Sequence, residues 1–154
     1  MEKARDILAE LVVNKVFWIT LYAWFITQSL KVALGVIREK KFNFRWFVGT
    51  GGMPSSHAAT VSALATVVGL HSGFNSPVFA VSLAFAIVVI FDAQGVRRAT
   101  GKQAEILNKM LDDIYWKHKI QEDRLKELLG HAPVEVFVGI GLGISIAVLL
   151  WRIM

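Results

Sequence analysis

Four short stretches of this 154-residue chain hold residue types suited to phosphate chemistry. Gly51-Gly52-Met53-Pro54-Ser55-Ser56-His57 packs two glycines, a proline and a histidine into one run. His131 and Glu135 stand four residues apart, which on a helix is one turn on the same face. A carboxylate there accepts a hydrogen bond from one ring nitrogen, fixes the tautomer and leaves the other nitrogen as nucleophile or base. His57 then offers a second imidazole, an acid for a leaving group. Lys31 and Arg38, together with Arg97-Arg98, bring full positive charge, the arginines in a form that grips phosphate oxygens bidentately. Asp92 precedes the arginine pair and suits pairing with it. Gln28 lies three residues before Lys31 and suits orienting it.

Two of these stretches share a design. Each has glycine, then proline near the first helical position, with a histidine close by. Proline suits that position because its missing N–H would have had no intrahelical acceptor. A helix N-terminus presents N–H groups and partial positive charge to an anion, and glycine lets the backbone approach it closely. Gly52, Ser55 and Ser56 are the backbone candidates for such contacts.

The elements that must position these residues follow from hydropathy. Hydrophobic residues make up 55% of the chain and charged residues only 19%. Mean hydropathy is +0.51. A soluble domain of this size carries more charge, and a disordered one far fewer large apolar residues. The absence of cysteine excludes disulfide frameworks, thiolate metal sites and cysteine nucleophiles. The reading is all-α: a multi-pass membrane helical bundle with about four spanning helices and an amphipathic helical connection. Residues 1–154 form one membrane domain. Spans are expected over about 11–37, 54–71, 76–93 and 133–154, with polar connections at 38–53 and 94–132. Helical spacing of Val96, Ala99, Leu107, Met110, Leu111 and Ile114 predicts an amphipathic helix over Val96–Tyr115. Ile120–Leu129 reads as another, closed by Gly130. The N-terminal residues mix acids with bases and precede no small-residue cleavage site, so no cleavable leader is expected.

Charge sets the orientation. Lys plus Arg number 17 against 12 Asp plus Glu, a net +5. Twelve of the 17 fall in the two connections, which two spans separate and so place on one side. The positive-inside rule makes that side cytoplasmic. All four polar stretches then converge on one membrane face, and intramembrane ionisable groups at one depth mark a site. Basic balance suits membrane lipids and a phosphorylated lipid substrate. Nucleic acid is not expected, because the bases alternate with apolar segments and the five tryptophans suit interfaces or packing. Four short spans give thin walls and favour a homo-oligomer.

GGMPSSH, DAQGVRRATGKQAEILN and LKELLGHAPVEV resemble the divergent membrane branch of the type 2 phosphatidic acid phosphatase superfamily, which is related to vanadium-dependent haloperoxidases. The resemblance covers about Asn14 to Gly143. The proven phosphatases carry K-x6-R-P, P-S-G-H and S-R-x5-H-x3-D. Lys31 and Arg38 stand at the first spacing, with Glu39 in place of proline. Pro54-Ser55-Ser56-His57 matches the second with serine for glycine. His131 and Glu135 match H-x3-D with glutamate for aspartate. Arg97 or Arg98 fills the arginine role from more than thirty residues upstream of His131.

The resemblance implies a metal-free phosphomonoesterase or diphosphatase for a lipid or isoprenoid phosphate, without a cofactor and with vanadate as a phosphate mimic. His131 attacks phosphorus, Glu135 orients it and His57 protonates the leaving oxygen. Lys31, Arg38, Arg97 or Arg98 and N–H groups near Gly52, Ser55 and Ser56 hold the remaining oxygens. Two alternatives stay open: a non-catalytic lipid-phosphate binding or transport protein of the same fold, and a metal site built from His57, His131, Asp92 and Glu135. One of the two arginines also reads as a plain topology determinant.

Overall fold

The structure, a computed structural model, describes residues 2–40, 52–115 and 133–154. Every regular element in them is helical: α1 (Glu2–Val13), α2 (Lys15–Glu39), α3 (Ser56–Ser72), α4 (Pro77–Tyr115) and α5 (Pro133–Ile153). The expected helix over Ile120–Leu129 lies outside the described residues.

The first apolar stretch is two helices, not one. Asn14 interrupts it with extended backbone, and its Oδ1 accepts the Phe17 N–H at 3.0 Å. A short amide at this position caps the following helix better than it continues the preceding one. α2 then runs for 25 residues. It closes on Lys40, whose left-handed backbone (φ 51°) returns its N–H to the Val36 carbonyl at 2.8 Å.

α3 is the hub. It packs against α2, α4 and α5, and its buried positions hold only Ser, Ala, Val and Gly. A helix covered on several sides has no polar stripe, and small side chains let its neighbours come close. Gly139 and Gly143 of α5 meet it most tightly. A β-carbon on Gly139 would lie 2.5 Å from the Ser55 carbonyl oxygen, and one on Gly143 would collide with the Ala59 backbone. α3 and α5 run parallel with their N-termini side by side. α2 runs against both: Ile19 and Ala23 from its first half join Ala63 and Val67 from the middle and second half of α3, and Ile146 and Ala147 from the second half of α5, in one core cluster.

α3 turns into α4 through Gly73–Ser76. Ser76 Oγ accepts the Phe79 N–H at 3.2 Å and donates to the Gly73 carbonyl at 2.7 Å. Pro77 occupies the first position of α4, as Pro133 does in α5. α4 lies antiparallel to α3, packing Ala86, Val89 and Ile90 on Val61 and Ala65. It does not stop where the apolar segment ends. The 39 residues from Pro77 to Tyr115 form one helix, so the expected apolar segment and amphipathic connection are continuous. Gln94, Gly95 and Val96 include no proline to break it, and Gly95, a residue type that can close a helix, is carried through inside it. In the second half Asn108 is buried while Ile106, Leu107 and Met110 are exposed.

Polarity is distributed as in a membrane protein. Phe17, Leu21, Trp24, Phe25 and Leu34 of α2, Val81, Phe85 and Val88 of α4, and Phe137 and Leu149 of α5 all face outward. Thr27, Gln28, Lys31, Ser62 and Ser82 are buried. Large apolar residues outside and polar ones inside suit a lipid surround. α2 (Lys15–Arg38, 24 residues) and α5 (21 residues) are long and apolar enough to cross a membrane. Pro77–Ala93 is a shorter apolar helix.

Candidate functional site

The described parts of the polar stretches singled out by the sequence lie at one end of the bundle. α2 arrives there with its C-terminal half, α3 and α5 begin there, and α4 passes through. Lys31 is 9% exposed and Gln28 4%, both on the inner face of α2. A β-carbon on Gly52 would sit 3.4 Å from Lys31 Cε, so the lysine stem lies along this glycine. Gly52 has φ 86°, in the left-handed region that favours glycine.

The chain then enters α3 through Met53 and Pro54, joined by a cis peptide bond. Pro54, expected near the first helical position, stands just outside it. It lies fully buried one residue before Ser55, and Ser55 is the N-cap. The Ser55 side chain accepts the Ala58 N–H at 3.3 Å. Serine caps more strongly than proline because only it offers an acceptor to that N–H.

Ser55 also joins the two halves of the site. Its backbone N–H donates to the main-chain carbonyl of Glu135 at 3.1 Å. The expectation that this N–H holds a phosphate oxygen therefore gives way: it is committed to α5. Among the phosphate candidates of this stretch, Ser56 is 8% exposed at the start of α3. His57 is exposed in the first turn, and Glu135 is half-buried in the first turn of α5. Gln28, Lys31, His57 and Glu135 are each engaged by a polar or ring interaction.

Arg38 lies in the last turn of α2, two turns past Lys31 on the same face, and is exposed. Asp92 is exposed on α4, and Ala93 beside it is the residue turned inward. The α4 backbone carries Arg97 and Arg98 roughly 10 Å along its axis beyond Ile90, at 1.5 Å per residue. Antiparallel pairing of α3 and α4 thus returns these positions to the level where α3 begins, closing the long sequence gap to the α5 segment. Gly51 and His131 lie outside the described residues, and so does the expected one-turn pairing of His131 with Glu135. Among the described residues no group of three or more His, Asp or Glu could hold a metal ion.

The buried hydroxyls of Thr27, Ser62 and Ser82 carried no signal in the sequence. Thr27 and Ser82 donate to carbonyls of their own helices, Ala23 at 2.7 Å and Phe79 at 2.8 Å. A hydroxyl on an apolar helix satisfies itself this way, so neither marks a site. Asn108, in the DAQGVRRATGKQAEILN stretch, is buried and engaged by a polar interaction, and its only sequence signal was a polar residue amid Leu107, Met110 and Leu111. His71 falls at the other end of the bundle, edge-on to Trp151 with ring centroids 5.9 Å apart.

A family model described as the divergent PAP2 family matches residues 12–146. The chain belongs to the divergent PAP2 family. The matched region takes in α2 through most of α5, and so every element that meets at the site end. The uncharacterized membrane protein YuiD of Bacillus subtilis (strain 168) is 41% identical to this divergent PAP2 chain over 152 residues, covering 92% of the chain and 96% of the relative. No solved structure matches the chain. An all-helical fold with an apolar exterior, in a family with a membrane-protein relative, makes this a helical membrane protein of the divergent PAP2 family.

Proposed function

We propose that the protein is a multi-pass membrane phosphatase that hydrolyses a lipid or isoprenoid phosphate or diphosphate, with its site on the cytoplasmic face. The observation that carries this reading is the Ser55 N–H to Glu135 carbonyl bond at 3.1 Å, with the Lys31 stem against Gly52. It makes neighbours of three segments that are far apart in the chain. They are the three that the phosphatase pattern requires.

In this reading a ring nitrogen of His131 attacks phosphorus, the bond from phosphorus to the leaving oxygen breaks, and His57 gives that oxygen a proton. Water then attacks phosphorus, the phosphorus–nitrogen bond breaks, and His57 takes the water's proton. Glu135 orients His131. Lys31, Arg38 and Arg97 or Arg98 offset the charge on the non-reacting oxygens, together with N–H groups at the start of α3. Phosphoryl transfer asks mainly for such positioning and charge stabilisation. The half-buried Glu135 and exposed His57 suit a site that water must enter for the second step.

The test is phosphate release from short-chain lipid and isoprenoid phosphates by protein purified in detergent, with rapid quenching to trap a labelled intermediate. Label on His131, lost in His131→Ala, is the expected result. No release, with wild type and His131→Ala alike, would overturn the reading. One observation favours a second reading, non-catalytic binding or transport of a lipid phosphate: more than thirty residues separate the arginine pair from His131, where the proven phosphatases have five between them. That reading predicts lipid-phosphate binding that survives His131→Ala and weakens when Arg97 and Arg98 are neutralised.

A further inference from the structure

We propose that α1 is an interfacial helix that lies in the head-group region, on the membrane face opposite the candidate phosphate site. The proposal rests on the membrane setting and not on the phosphatase reading.

The sequence of α1 is amphipathic. Ala4, Ile7, Leu8, Leu11 and Val12 recur at helical spacing and fall within an arc of roughly 140° at 3.6 residues per turn. Lys3, Asp6 and Glu10 line the opposite side. Nothing described in the bundle covers the apolar stripe. Ile7, Leu8, Leu11 and Val12 are 43 to 66% exposed, and α1 has no extended packing with any other described helix. A helix of 12 residues is marginal alone in water and gains its stability from an apolar surface under its stripe.

Three observations identify that surface as lipid. First, α1 ends one residue before α2, whose residues from Lys15 already supply a full membrane crossing, so α1 begins where the crossing stops. Second, the join is built from an interfacial residue type: the Trp18 indole N–H donates to the Val12 carbonyl at 3.0 Å, taking up one of the carbonyls that the end of α1 leaves open. Third, the same end of the bundle carries further interfacial anchors. Lys15 Nζ sits 5.8 Å from the Trp151 ring, and His71 meets that ring edge-on. These place the head-group level at the foot of α1. Two bases against three acids in α1 give it no electrostatic preference for anionic lipid. Its attachment depends on buried apolar area.

The chain has no cysteine, so single-cysteine labels report one position each. Full-length Leu11→Cys and Glu10→Cys proteins, and Ile7→Cys as a second apolar-face position, are labelled with a fluorophore. They are reconstituted in phosphatidylcholine vesicles with and without phosphatidylglycerol. The apolar-face labels should be quenched several-fold more by a lipid-borne quencher than by aqueous iodide, and Glu10→Cys the reverse. The contrast should persist when phosphatidylglycerol is added and when protein is diluted in lipid. Equal iodide access at both faces would overturn the proposal by placing α1 in water. Protection that disappears on dilution would overturn it in favour of a second copy of the chain.

Discussion

Ser55 and Glu135 are bonded through their backbones, N–H to carbonyl at 3.1 Å, although eighty residues separate them in the chain. The bond holds only while α3 and α5 stay close, and that closeness depends on Gly139 facing Ser55 and Gly143 facing Ala59. Gly139→Ala and Gly143→Ala should each lower stability by about 1–3 kcal/mol through overpacking. Gly141→Ala, with no atom within 4 Å of its added carbon, should raise it by up to about 1 kcal/mol, because alanine favours the helix interior. Thermal unfolding in detergent separates the three. Equal melting temperatures would show that the helices give way without cost.

Lys31 should carry most of the oxyanion attraction from α2, because it is buried beside Gly52 while Arg38 is exposed. Methionine is close in length and apolar, so Lys31→Met should fold. Vanadate should compete with substrate in the wild type, since it adopts the transition-state geometry. Loss of a charged hydrogen bond worth about 1.5–3 kcal/mol weakens binding at least tenfold in Lys31→Met. Arg38→Met should weaken it less. Inhibition constants measured against one lipid phosphate check the order.

The histidines should divide by end. His57→Ala and His131→Ala should abolish phosphate release. His71→Ala, at the opposite end beside Trp151, should keep it within about twofold, as a substitution away from the site does. A turnover assay on the three variants is sufficient. Equal loss in all three would assign the effect to folding.

Asn14→Ala removes the acceptor of the Phe17 N–H and should cost about 1 kcal/mol at the start of α2. Asn14→Asp keeps an acceptor and should cost less. Melting temperature in detergent reads the difference, and phosphate release should be unchanged in both variants.

Much of the fold was legible because lipid-facing helices are written in hydropathy. The apolar runs ending at Ile37 and beginning at Pro133 became α2 and α5 with little change at those ends. What escaped was decided by local capping. Asn14 sits inside an apolar run, and only its side chain's bond to the Phe17 N–H turns it into a boundary. Pro54 and Pro77 look alike in sequence. Pro77 opens a helix, whereas Pro54 is followed by Ser55, which takes the cap. The convergence of Lys31, Gly52, Ser55 and Glu135 followed from topology alone, since two antiparallel helices separate the connections. The bond between Ser55 and Glu135 did not, because a backbone contact leaves no residue type to read. The stripe on α1 was visible in the periodicity of Ile7, Leu8 and Leu11, but a short helix beside a long apolar run is masked by it.

The unbroken course of α4 has an electrostatic consequence. A helix ending at Ala93, where the apolar segment ends, would point its last carbonyls at the level where α3 and α5 begin, the equivalent of roughly half a negative charge. By continuing to Tyr115, α4 carries that negative pole roughly 33 Å further along its axis. Among the described residues, the helix ends left at this level are the positive poles of α3 and α5 and the negative pole of α2, whose last turn and cap hold Arg38 and Lys40. Helix poles do not titrate. This end of the molecule therefore keeps part of its pull on an anion at every pH at which the bundle is folded.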